Sequence, residues 1–328
     1  MAIREADISV LIPTYRYRDK VGRAVDSALA SGAGEIIVTD DKSEDGTMEL
    51  LAGYDDPRLQ VSENPTNLGL WENHLSALGH ATKPWIKFIQ ADDYLLPGGL
   101  ATYARAADED VSVVWSSPIF VDDETGKESV RFALDAPIRV PRPGIFDICI
   151  HQGWLLGSPS HVMLRNDAIT RDPLAWRTDI SADLVVGSIA ATSGDVVLLA
   201  PGALAQGVHA GQDAKTQGHG RGLKRMIASI EFLADQDAPE LSRFSALWAA
   251  MNQKGALRTA VAGALKGNLK PFEALNLLRR LNAQAHAATR YSDGRQTRRS
   301  ARAWRAHTSR PHDIAALALK AAGIGTAR

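Results

Sequence analysis

The sequence predicts an α/β fold: a doubly wound, mostly parallel sheet flanked by helices, with a C-terminal helical extension. Three short apolar runs, at residues 8–12, 36–38 and 85–89, alternate with helix-patterned stretches, as strands do in βαβ units. Each run ends in polar residues, namely Pro13-Thr14-Tyr15, Asp40-Asp41 and Asp92-Asp93. Because parallel strands present their carboxyl ends at one edge of a sheet, we expect these side chains to converge on one crevice.

The helices between these strands are predicted from apolar spacing. The first has a stripe that recurs every three to four residues and ends before two glycines, formed by Val21, Ala24, Val25, Ala28 and Leu29. The second should begin near Thr47, behind a small polar cap. The third carries one apolar face, formed by Trp71, His74, Leu75 and Leu78.

Past residue 100 the pattern changes. Residues 111–115 and 195–199 are predicted to be buried strands, and residues 137–143 an extended connection broken by prolines. Residues 153–160 and 207–222 are predicted to be loops. From about Leu223 onward, apolar residues at helical spacing predict a series of helices.

Composition excludes several classes of protein. A hydrophobic content of 45% is enough for a substantial core, and a single cysteine, Cys149, excludes an internal disulfide framework and indicates a reducing compartment. The N-terminus has no apolar signal core, and no run approaches the roughly 18–20 apolar residues that span a bilayer. We therefore expect a cytoplasmic protein, with peripheral attachment at the inner face of the membrane left open.

Charge is divided unevenly along the chain. Residues 221–328 carry 19 Lys and Arg against 7 Asp and Glu, a net charge of +12, whereas residues 1–220 carry 18 against 31, a net charge of −13. A basic region facing an anionic partner and a solvated helical face lying against the acidic part are equally good interpretations.

The Asp92-Asp93 pair follows a buried strand and precedes a loop. Such a pair can hold Mg²⁺ or Mn²⁺ through a few oxygen ligands and leave positions open for phosphate oxygens. A simple helix cap is the structural alternative, but the expected position opposite Asp40-Asp41 favours metal-assisted nucleotide chemistry. At its strand end, Asp41 can accept the N–H of a pyrimidine base and Tyr15 can stack on that base, or Asp41 can belong to a capped turn.

Four motifs, at residues 8–15, 38–47, 64–69 and 91–93, together resemble the family 2 glycosyltransferases of GT-A fold in order and spacing. The resemblance is specific over about the first 100 residues, weaker to about residue 215 and absent beyond. It implies inverting transfer of a sugar from a nucleoside diphosphate donor with the help of Mn²⁺ or Mg²⁺. We expect a UDP- or dTDP-sugar as donor, and a role in the synthesis of cell-surface polysaccharide or another glycoconjugate.

The resemblance also implies roles for individual residues. The nucleotide-sugar site would comprise Pro13, Thr14, Tyr15, Asp40, Asp41, Asn67 and Asp92. Within it, Asp41 would bind the base and Asp92 the ribose or the sugar. Asp93 would bind the metal, and His209 would complete the metal site or close over the phosphates. Two positions depart from the family: Lys42 stands where glycine is common, and Gln90 where many relatives carry aspartate.

An inverting transfer needs a base on the acceptor side, because the attacking hydroxyl must lose its proton. The family supplies this base from a Glu-Asp pair before a helix. Here Ala182 replaces the glutamate, Asp183 keeps the base position, and Asp179 is the alternative base. A helix N-cap is the structural alternative for this stretch.

The resulting hypothesis divides the chain at residue 220. Residues 1–220 would form the GT-A domain, with a nucleotide-binding half at about 1–100 and an acceptor-binding half at about 101–220, and residues 221–328 a basic helical region. The partners would be a nucleotide-sugar donor and a carbohydrate or lipid-linked acceptor, without nucleic acid. The C-terminal helices would contribute to acceptor binding, membrane contact or a homo-oligomer, so a chain cut near residue 220 should still bind donor.

The alternative function is a nucleotide-sugar-binding regulatory or scaffold protein, which the loss of the glutamate at Ala182 favours. A nicotinamide dehydrogenase is disfavoured because no Gly-x-Gly-x-x-Gly follows the first strand.

Overall fold

An eight-stranded sheet forms the centre of the computed structural model, which describes residues 2–130, 134–152, 155–210 and 219–291. Its strands are β1 (Ile8–Thr14), β2 (Glu35–Asp40), β3 (Leu59–Glu63), β4 (Trp85–Phe88), β6 (Val111–Ser116), β9 (Ile138–Val140), β10 (Val162–Arg165) and β11 (Asp195–Leu199). Their order is β3-β2-β1-β4-β10-β6-β11-β9. Strand β10 runs antiparallel to both neighbours and β9 antiparallel to β11, while the other pairs are parallel.

The convergence of strand ends follows from the register of the central strands. Every residue of β1 and β2 is buried, and the two run in parallel with Thr14 opposite Asp40. Strand β4 lies on the other side of β1, also parallel, with Leu11 opposite Phe88. The three polar clusters therefore leave the sheet at the same edge, as predicted.

A second, four-stranded sheet lies beside this edge. It contains β5 (Tyr94–Leu95), β7 (Ile119–Asp122), β8 (Glu128–Ser129) and β12 (Leu204–Val208), in the order β5-β12-β7-β8. Because β5 directly follows the Asp92-Asp93 turn and pairs with β12, the chain after β12 returns to that turn.

Nine α-helices lie among the described residues. They are α1 (Arg18–Ala30), α2 (Thr47–Leu51), α3 (Leu70–His80), α4 (Gly99–Ala106), α5 (Ile145–Gln152), α6 (Ala182–Ala190), α7 (His219–Ala234), α8 (Pro239–Leu265) and α9 (Pro271–Ala287). Four members of the predicted stripe on α1, Val21, Ala24, Val25 and Ala28, are buried. The predicted fold class, a mostly parallel sheet with flanking and C-terminal helices, is confirmed. The sequence analysis missed β3, β5, β7, β8, β10, β12 and α5.

Alternating side chains of the central strands build two cores, one on each face of the sheet, because successive strand residues point to opposite faces. Val10 and Ile12 pack with α1 and α4 in one core, and Leu11 packs with α3, α5 and α6 in the other.

The C-terminal helices belong to this second core. Ile227 and Ile230 of α7 and Phe244 of α8 are buried in it together with Phe146 of α5, whose ring centroid lies 5.4 Å from that of Phe244. The predicted boundary at residue 220 therefore falls between two parts of one core. Residues 292–328 of the predicted basic region lie outside the described residues. Among the described residues, no helix is both long and apolar enough to cross a membrane.

Candidate functional site

A cavity of about 1660 Å³ opens at the carboxyl ends of β1, β2 and β4. Nine of the predicted site residues line it: Pro13, Thr14, Tyr15, Asp41, Asn67, Asp92, Asp93, Asp183 and His209. Its volume exceeds the roughly 300–1,000 Å³ of a typical small-molecule pocket, so it has room for two substrates together.

The Asp92-Asp93 turn is the most acidic and most tightly held part of the cavity. Oδ1 of Asp93 accepts the N–H of Gly207 at 3.1 Å, and Oδ2 of Asp92 lies 3.0 Å from Nε2 of His209. Oδ2 of Asp93 is buried and has no hydrogen-bond donor among the described residues. Burial, reinforced by the charge of Asp92, raises the pKa of Asp93. A buried carboxylate oxygen without a donor, next to a second carboxylate, fits a site for a cation.

Helix α1 supports this turn from the other side. Nη2 of Arg23 donates to the carbonyl oxygen of Asp92 at 2.9 Å, and the guanidinium lies 4.4 Å from the ring centroid of Tyr94. Gly207 is needed here because a Cβ at that position would lie 2.6 Å from the carbonyl oxygen of Asp92. Strand β12 can therefore approach the turn only with glycine at this position.

A buried lysine ties the end of β4 to the segment that precedes β10. Lys87 is fully buried, and its Nζ donates to the carbonyl oxygens of Ser160 and, at 3.3 Å, Val162. Its ammonium lies 4.5 Å from the ring centroid of Tyr103, and burial lowers the pKa of Lys87 to about 7. The hydroxyl of Ser160 in turn accepts the N–H of Gln90 at 2.9 Å.

Gln90, at the position where relatives often carry aspartate, faces a neutral histidine. His74 Nδ1 lies 2.6 Å from the carbonyl oxygen of Leu70, which makes Nδ1 the donor, and Nε2 lies 3.0 Å from the amide of Gln90. Burial lowers the pKa of His74 to about 4. A neutral amide fits a neutral ring, so this departure leaves the charge of the cavity to Asp92 and Asp93.

Asp41 lines the cavity but is also bound to the loop before α3. Oδ1 accepts from the side chain of Asn64 and the N–H of Leu68, both at 2.8 Å, and Oδ2 accepts the N–H of Gly69 at 2.8 Å. The side chain of Asn64 also reaches Asn73 of α3 at 2.9 Å. Asp41 thus fixes the loop that carries Asn67, a role that the sequence analysis did not foresee.

Asp40 does not reach the cavity. It is fully buried and accepts the N–H of Ser43 at 2.8 Å as well as the hydroxyl of Ser43. Burial raises the pKa of Asp40. The carboxylate closes the turn after β2, in which Lys42 has φ +62°. Glycine adopts such an angle without strain, which explains its frequency at this position in relatives.

Tyr15 stands at the mouth of the cavity and is 38% exposed, so its ring is free to contact a ligand. The guanidinium of Arg16 lies 5.1 Å from the ring centroid of Tyr15, and Arg18 and Lys20 of α1 also line the cavity. The sequence analysis missed these basic residues, although the run from Arg16 to Lys20 directly follows the Tyr15 motif.

The two candidate bases lie in different places. Asp183, in the first turn of α6, lines the cavity, and its Oδ2 accepts the N–H of Ser158 at 2.8 Å. Burial raises the pKa of Asp183. Asp179 lies outside the cavity, with its side chain 67% exposed and paired to Arg177 at 2.9 Å. Of the two, only Asp183 is brought together with Asp92 and Asp93.

Part of the cavity wall is aromatic and apolar. Trp115, Phe120 and Leu155 line the cavity together with His161, whose Nε2 lies 2.9 Å from Oε1 of Gln206. The sequence analysis did not assign Trp115 or Phe120 to the site. Their aromatic character was visible, but nothing in the sequence placed their strands beside the cavity.

Asp92, Asp93 and His209 are the groups that could hold a divalent metal ion. The described residues contain no cluster of three or more His, Cys, Asp or Glu placed to hold a metal by themselves. The two carboxylates nevertheless fit a hard cation that takes its remaining oxygen ligands from phosphate and water, since such cations are commonly bound through one or two carboxylates.

Comparison with known proteins agrees with this geometry. Residues 9–154 match the family model described as Glycosyl transferase family 2. An uncharacterized protein of Mycobacterium tuberculosis is 32% identical over 186 residues, which are 53% of this chain and 57% of that protein. The Campylobacter jejuni GalNAc(5)-diNAcBac-PP-undecaprenol beta-1,3-glucosyltransferase is 30% identical over 131 residues, 38% of this chain and 42% of that enzyme. The chain thus spans about half the length of these relatives.

A solved structure resembles most of the chain. The crystal structure of S. aureus TarS 1-349 in complex with UDP-GlcNAc matches with a TM-score of 0.65 and 19% identity, over 90% of this chain and 91% of that one. At this identity the similarity establishes the fold, which extends beyond the family-model match into the C-terminal helices.

Proposed function

We propose that this chain is a family 2 glycosyltransferase of GT-A fold, which transfers a sugar from a nucleoside diphosphate donor to an acceptor hydroxyl with inversion. The observation that carries the proposal is the shared cavity of Asp92, Asp93 and Asp183. Two of these carboxylates are suited to holding a metal-bound diphosphate, and the third is suited to accepting a proton. The cavity that they share is large enough for a donor and an acceptor.

The donor would occupy the part of the cavity near β1 and β2. The exposed ring of Tyr15 offers a face for a base, and Pro13, Thr14 and Asn67 line the same region. Asp41 accepts only one hydrogen bond at Oδ2, which leaves that oxygen able to accept the N–H of a pyrimidine. These features favour a UDP- or dTDP-sugar. The similar TarS structure contains UDP-GlcNAc.

Mn²⁺ or Mg²⁺ would be held by Asp93 and Asp92, with His209 beside Asp92. Bound there, the ion would neutralise the diphosphate as it leaves. The chain's own part is to hold the two carboxylates: Gly207 binds Asp93, and Arg23 fixes the backbone of Asp92. The buried, unpartnered Oδ2 of Asp93 supports this assignment.

Asp183 would accept the proton of the attacking hydroxyl. The N–H of Ser158 orients its carboxylate, and its raised pKa makes it a stronger base than an ordinary aspartate. Inversion follows if the hydroxyl attacks from the Asp183 side while the diphosphate leaves on the Asp93 side.

The acceptor would be a carbohydrate or a lipid-linked saccharide, used in the synthesis of a polysaccharide or another glycoconjugate. Phe120 and His161 line the cavity with their ring centroids 6.5 Å apart, and flat side chains of this kind can pack against a sugar ring. A similar enzyme of C. jejuni is named for an undecaprenol-linked acceptor.

The second candidate is a nucleotide-sugar-binding protein without turnover. Ala182, which fills the place of the family's glutamate and is fully buried, is the observation that favours it. Asp183 remains in the cavity as a base, which is why we prefer the enzyme.

The test is a screen of nucleoside diphosphate sugars for binding and for release of the nucleoside diphosphate, with Mn²⁺ and with EDTA. We expect a UDP- or dTDP-sugar to bind, and release to require the metal. Asp93→Asn should abolish release, because it removes a negatively charged ligand for the metal. It should fold normally, because the amide has the shape of the carboxyl group and its oxygen can still accept the N–H of Gly207. Asp179→Asn is the matched control and should keep native rates.

Metal-dependent donor binding with no turnover on any saccharide or lipid-linked acceptor would favour the non-catalytic alternative. Release of the nucleoside diphosphate that is equal in EDTA and in Mn²⁺ would refute the metal assignment.

A further inference from the structure

The turn between α8 and α9 exposes a group of large apolar side chains, which we call the hairpin tip. Its members and their exposed fractions are Leu257 (51%), Val261 (49%), Leu265 (83%), Phe272 (78%) and Leu275 (47%). Single exposed apolar residues are ordinary, but a contiguous group on a folded surface marks a site of interaction.

Helical spacing makes these residues neighbours. Leu257, Val261 and Leu265 are four residues apart and form one stripe that ends at the last residue of α8. Phe272 and Leu275 lie three residues apart in the first turns of α9. The five side chains therefore cover the outer end of a helical hairpin.

The inner side of the hairpin is firmly packed. Ala256, Ala260, Leu269 and Leu277 are buried. Gly263 packs directly on Leu269, since a Cβ there would lie 2.9 Å from a Leu269 methyl carbon. The apolar residues of the hairpin tip are thus left over after the hairpin has formed its own core.

Five basic residues surround the hairpin tip: Lys254, Arg258, Lys266, Lys270 and Arg279. All five are exposed, and none forms an ion pair with a described residue. The single acidic residue between positions 254 and 279 is Glu273, which pairs with Lys224 at 2.6 Å. The hairpin tip therefore combines exposed apolar side chains with an excess of positive charge.

We propose that the hairpin tip docks on the surface of an anionic phospholipid bilayer. Leu265 and Phe272 would enter the boundary between headgroups and acyl chains, and the five basic residues would face acidic headgroups. This inference goes beyond the proposed activity, because it concerns a surface separate from the cavity. It would bring the proposed transferase to the surface of a bilayer.

Charge argues against two other occupants. A second copy would bring a second ring of five cations to the first, which is repulsive. Residues 292–328 of the same chain carry eight Lys and Arg against two Asp and Glu, and this net positive charge does not complement the hairpin tip. An anionic bilayer satisfies the apolar and the basic parts of the surface together.

The test is co-sedimentation of the full chain with neutral phosphatidylcholine vesicles and with vesicles that also contain phosphatidylglycerol. We expect binding to the anionic vesicles that weakens with added salt. The double variant Leu265→Ser/Phe272→Ser and the double variant Lys266→Glu/Lys270→Glu should each weaken this binding by more than about tenfold.

The matched control is Leu174→Ser, which removes an apolar side chain of 53% exposure from another part of the surface and should bind as the native chain does. Donor binding should be unchanged in all variants, which separates a failure of docking from a failure of the proposed function or of folding. Native vesicle binding by both double variants, or equal binding to neutral and anionic vesicles, would overturn the proposal. The proposal would also be overturned if the native chain bound no vesicles but self-associated in sedimentation velocity, and if Leu265→Ser/Phe272→Ser abolished that self-association.

Discussion

Asp183 and Asp179 lie only four residues apart in the sequence but face different surroundings. Asp183 enters the cavity because it stands in the first turn of α6, where the N–H of Ser158 holds its carboxylate. Asp179 precedes the helix, points to solvent and pairs with Arg177. The two residues therefore form a natural pair for testing the base.

Asp183→Asn should lower turnover by about 10²–10⁴, since a positioned base typically contributes that much, with little change in donor affinity. Asp179→Asn should stay within about twofold, because an exposed ion pair contributes little. Initial rates at saturating donor, together with donor titrations, measure both. If Asp179→Asn is the impaired variant, the base has been misassigned.

The pH profile adds an independent check on Asp183. Its carboxyl must be ionised to accept a proton, and burial raises its pKa, so turnover should fall as pH drops through a value above the usual range for aspartate. The residual turnover of Asp183→Asn should lack this acidic decline. A profile unchanged by the substitution would assign the decline to another group.

Asp41→Asn should weaken both the fold and donor binding. Both carboxylate oxygens of Asp41 now accept a backbone N–H, from Leu68 and from Gly69. In asparagine an NH₂ group replaces one of these oxygens, so one of the two N–H groups would lose its acceptor. A buried unsatisfied N–H costs about 1–3 kcal/mol. Thermal unfolding and donor titration measure the two effects. Loss of donor affinity at unchanged stability would mean that Asp41 serves the base alone.

At this scale the sequence predicted which acidic groups meet, because Asp41, Asp92 and Asp93 each follow a buried strand. It could not predict that Asp40 turns away to Ser43, since Asp40 and Asp41 are adjacent and chemically identical. Only the backbone conformation after β2, with Lys42 at positive φ, separates them.

At the scale of elements, β12 completes the site although it follows Asp92 by more than a hundred residues. It pairs with β5 and places the N–H of Gly207 on Asp93 and the ring of His209 beside Asp92. The sequence analysis assigned residues 207–222 to a loop and predicted no strand at residues 204–206. Residues 204–208 contain a glycine, a glutamine and an alanine, and Val208 is their one β-branched residue, so the strand propensity of the segment is low. Tertiary pairing with β5 and β7 makes it a strand.

Gly207→Ala should push β12 away from the turn and reduce transfer, because the new Cβ meets backbone, which cannot move aside as a side chain can. Gly255→Ala is the control. Gly255 lies in α8 with open space around it, so alanine there should stabilise the chain by about 0.5–1 kcal/mol without affecting activity. Metal-dependent donor binding and thermal unfolding measure both variants. Native metal dependence in Gly207→Ala would show that β12 does not hold Asp93 in place.

At the scale of the whole molecule, the C-terminal helices and the sheet share a core. Besides the apolar contacts, the hydroxyl of Ser229 in α7 accepts the N–H of Ser181 at 2.9 Å, two residues before Asp183. The sequence showed that helices follow residue 220 but not what they cover, because an amphipathic stripe gives the buried face of a helix and not its partner.

A chain cut after residue 218 should therefore be insoluble or unfolded and should not bind donor. The sequence alone had suggested that such a chain would still bind it. Removing α7 and α8 exposes Phe146 and the apolar side of α6, which are buried beneath them. Soluble yield and circular dichroism test this. A soluble, folded and donor-binding fragment would show that the two parts are independent.

The contact between Ser160 and the end of β4 has a consequence for the order in which substrates bind. Ser160 lies two residues from Ser158, which holds the proposed base, and its hydroxyl binds the N–H of Gln90, two residues before Asp92. A ligand that shifts one segment must strain or relieve the other. Affinities linked in this way are reciprocal: by whatever factor a bound donor strengthens the acceptor, the acceptor strengthens the donor. Such linkage would let the enzyme retain its sugar nucleotide more tightly when a hydroxyl is present to receive the sugar than when only water is.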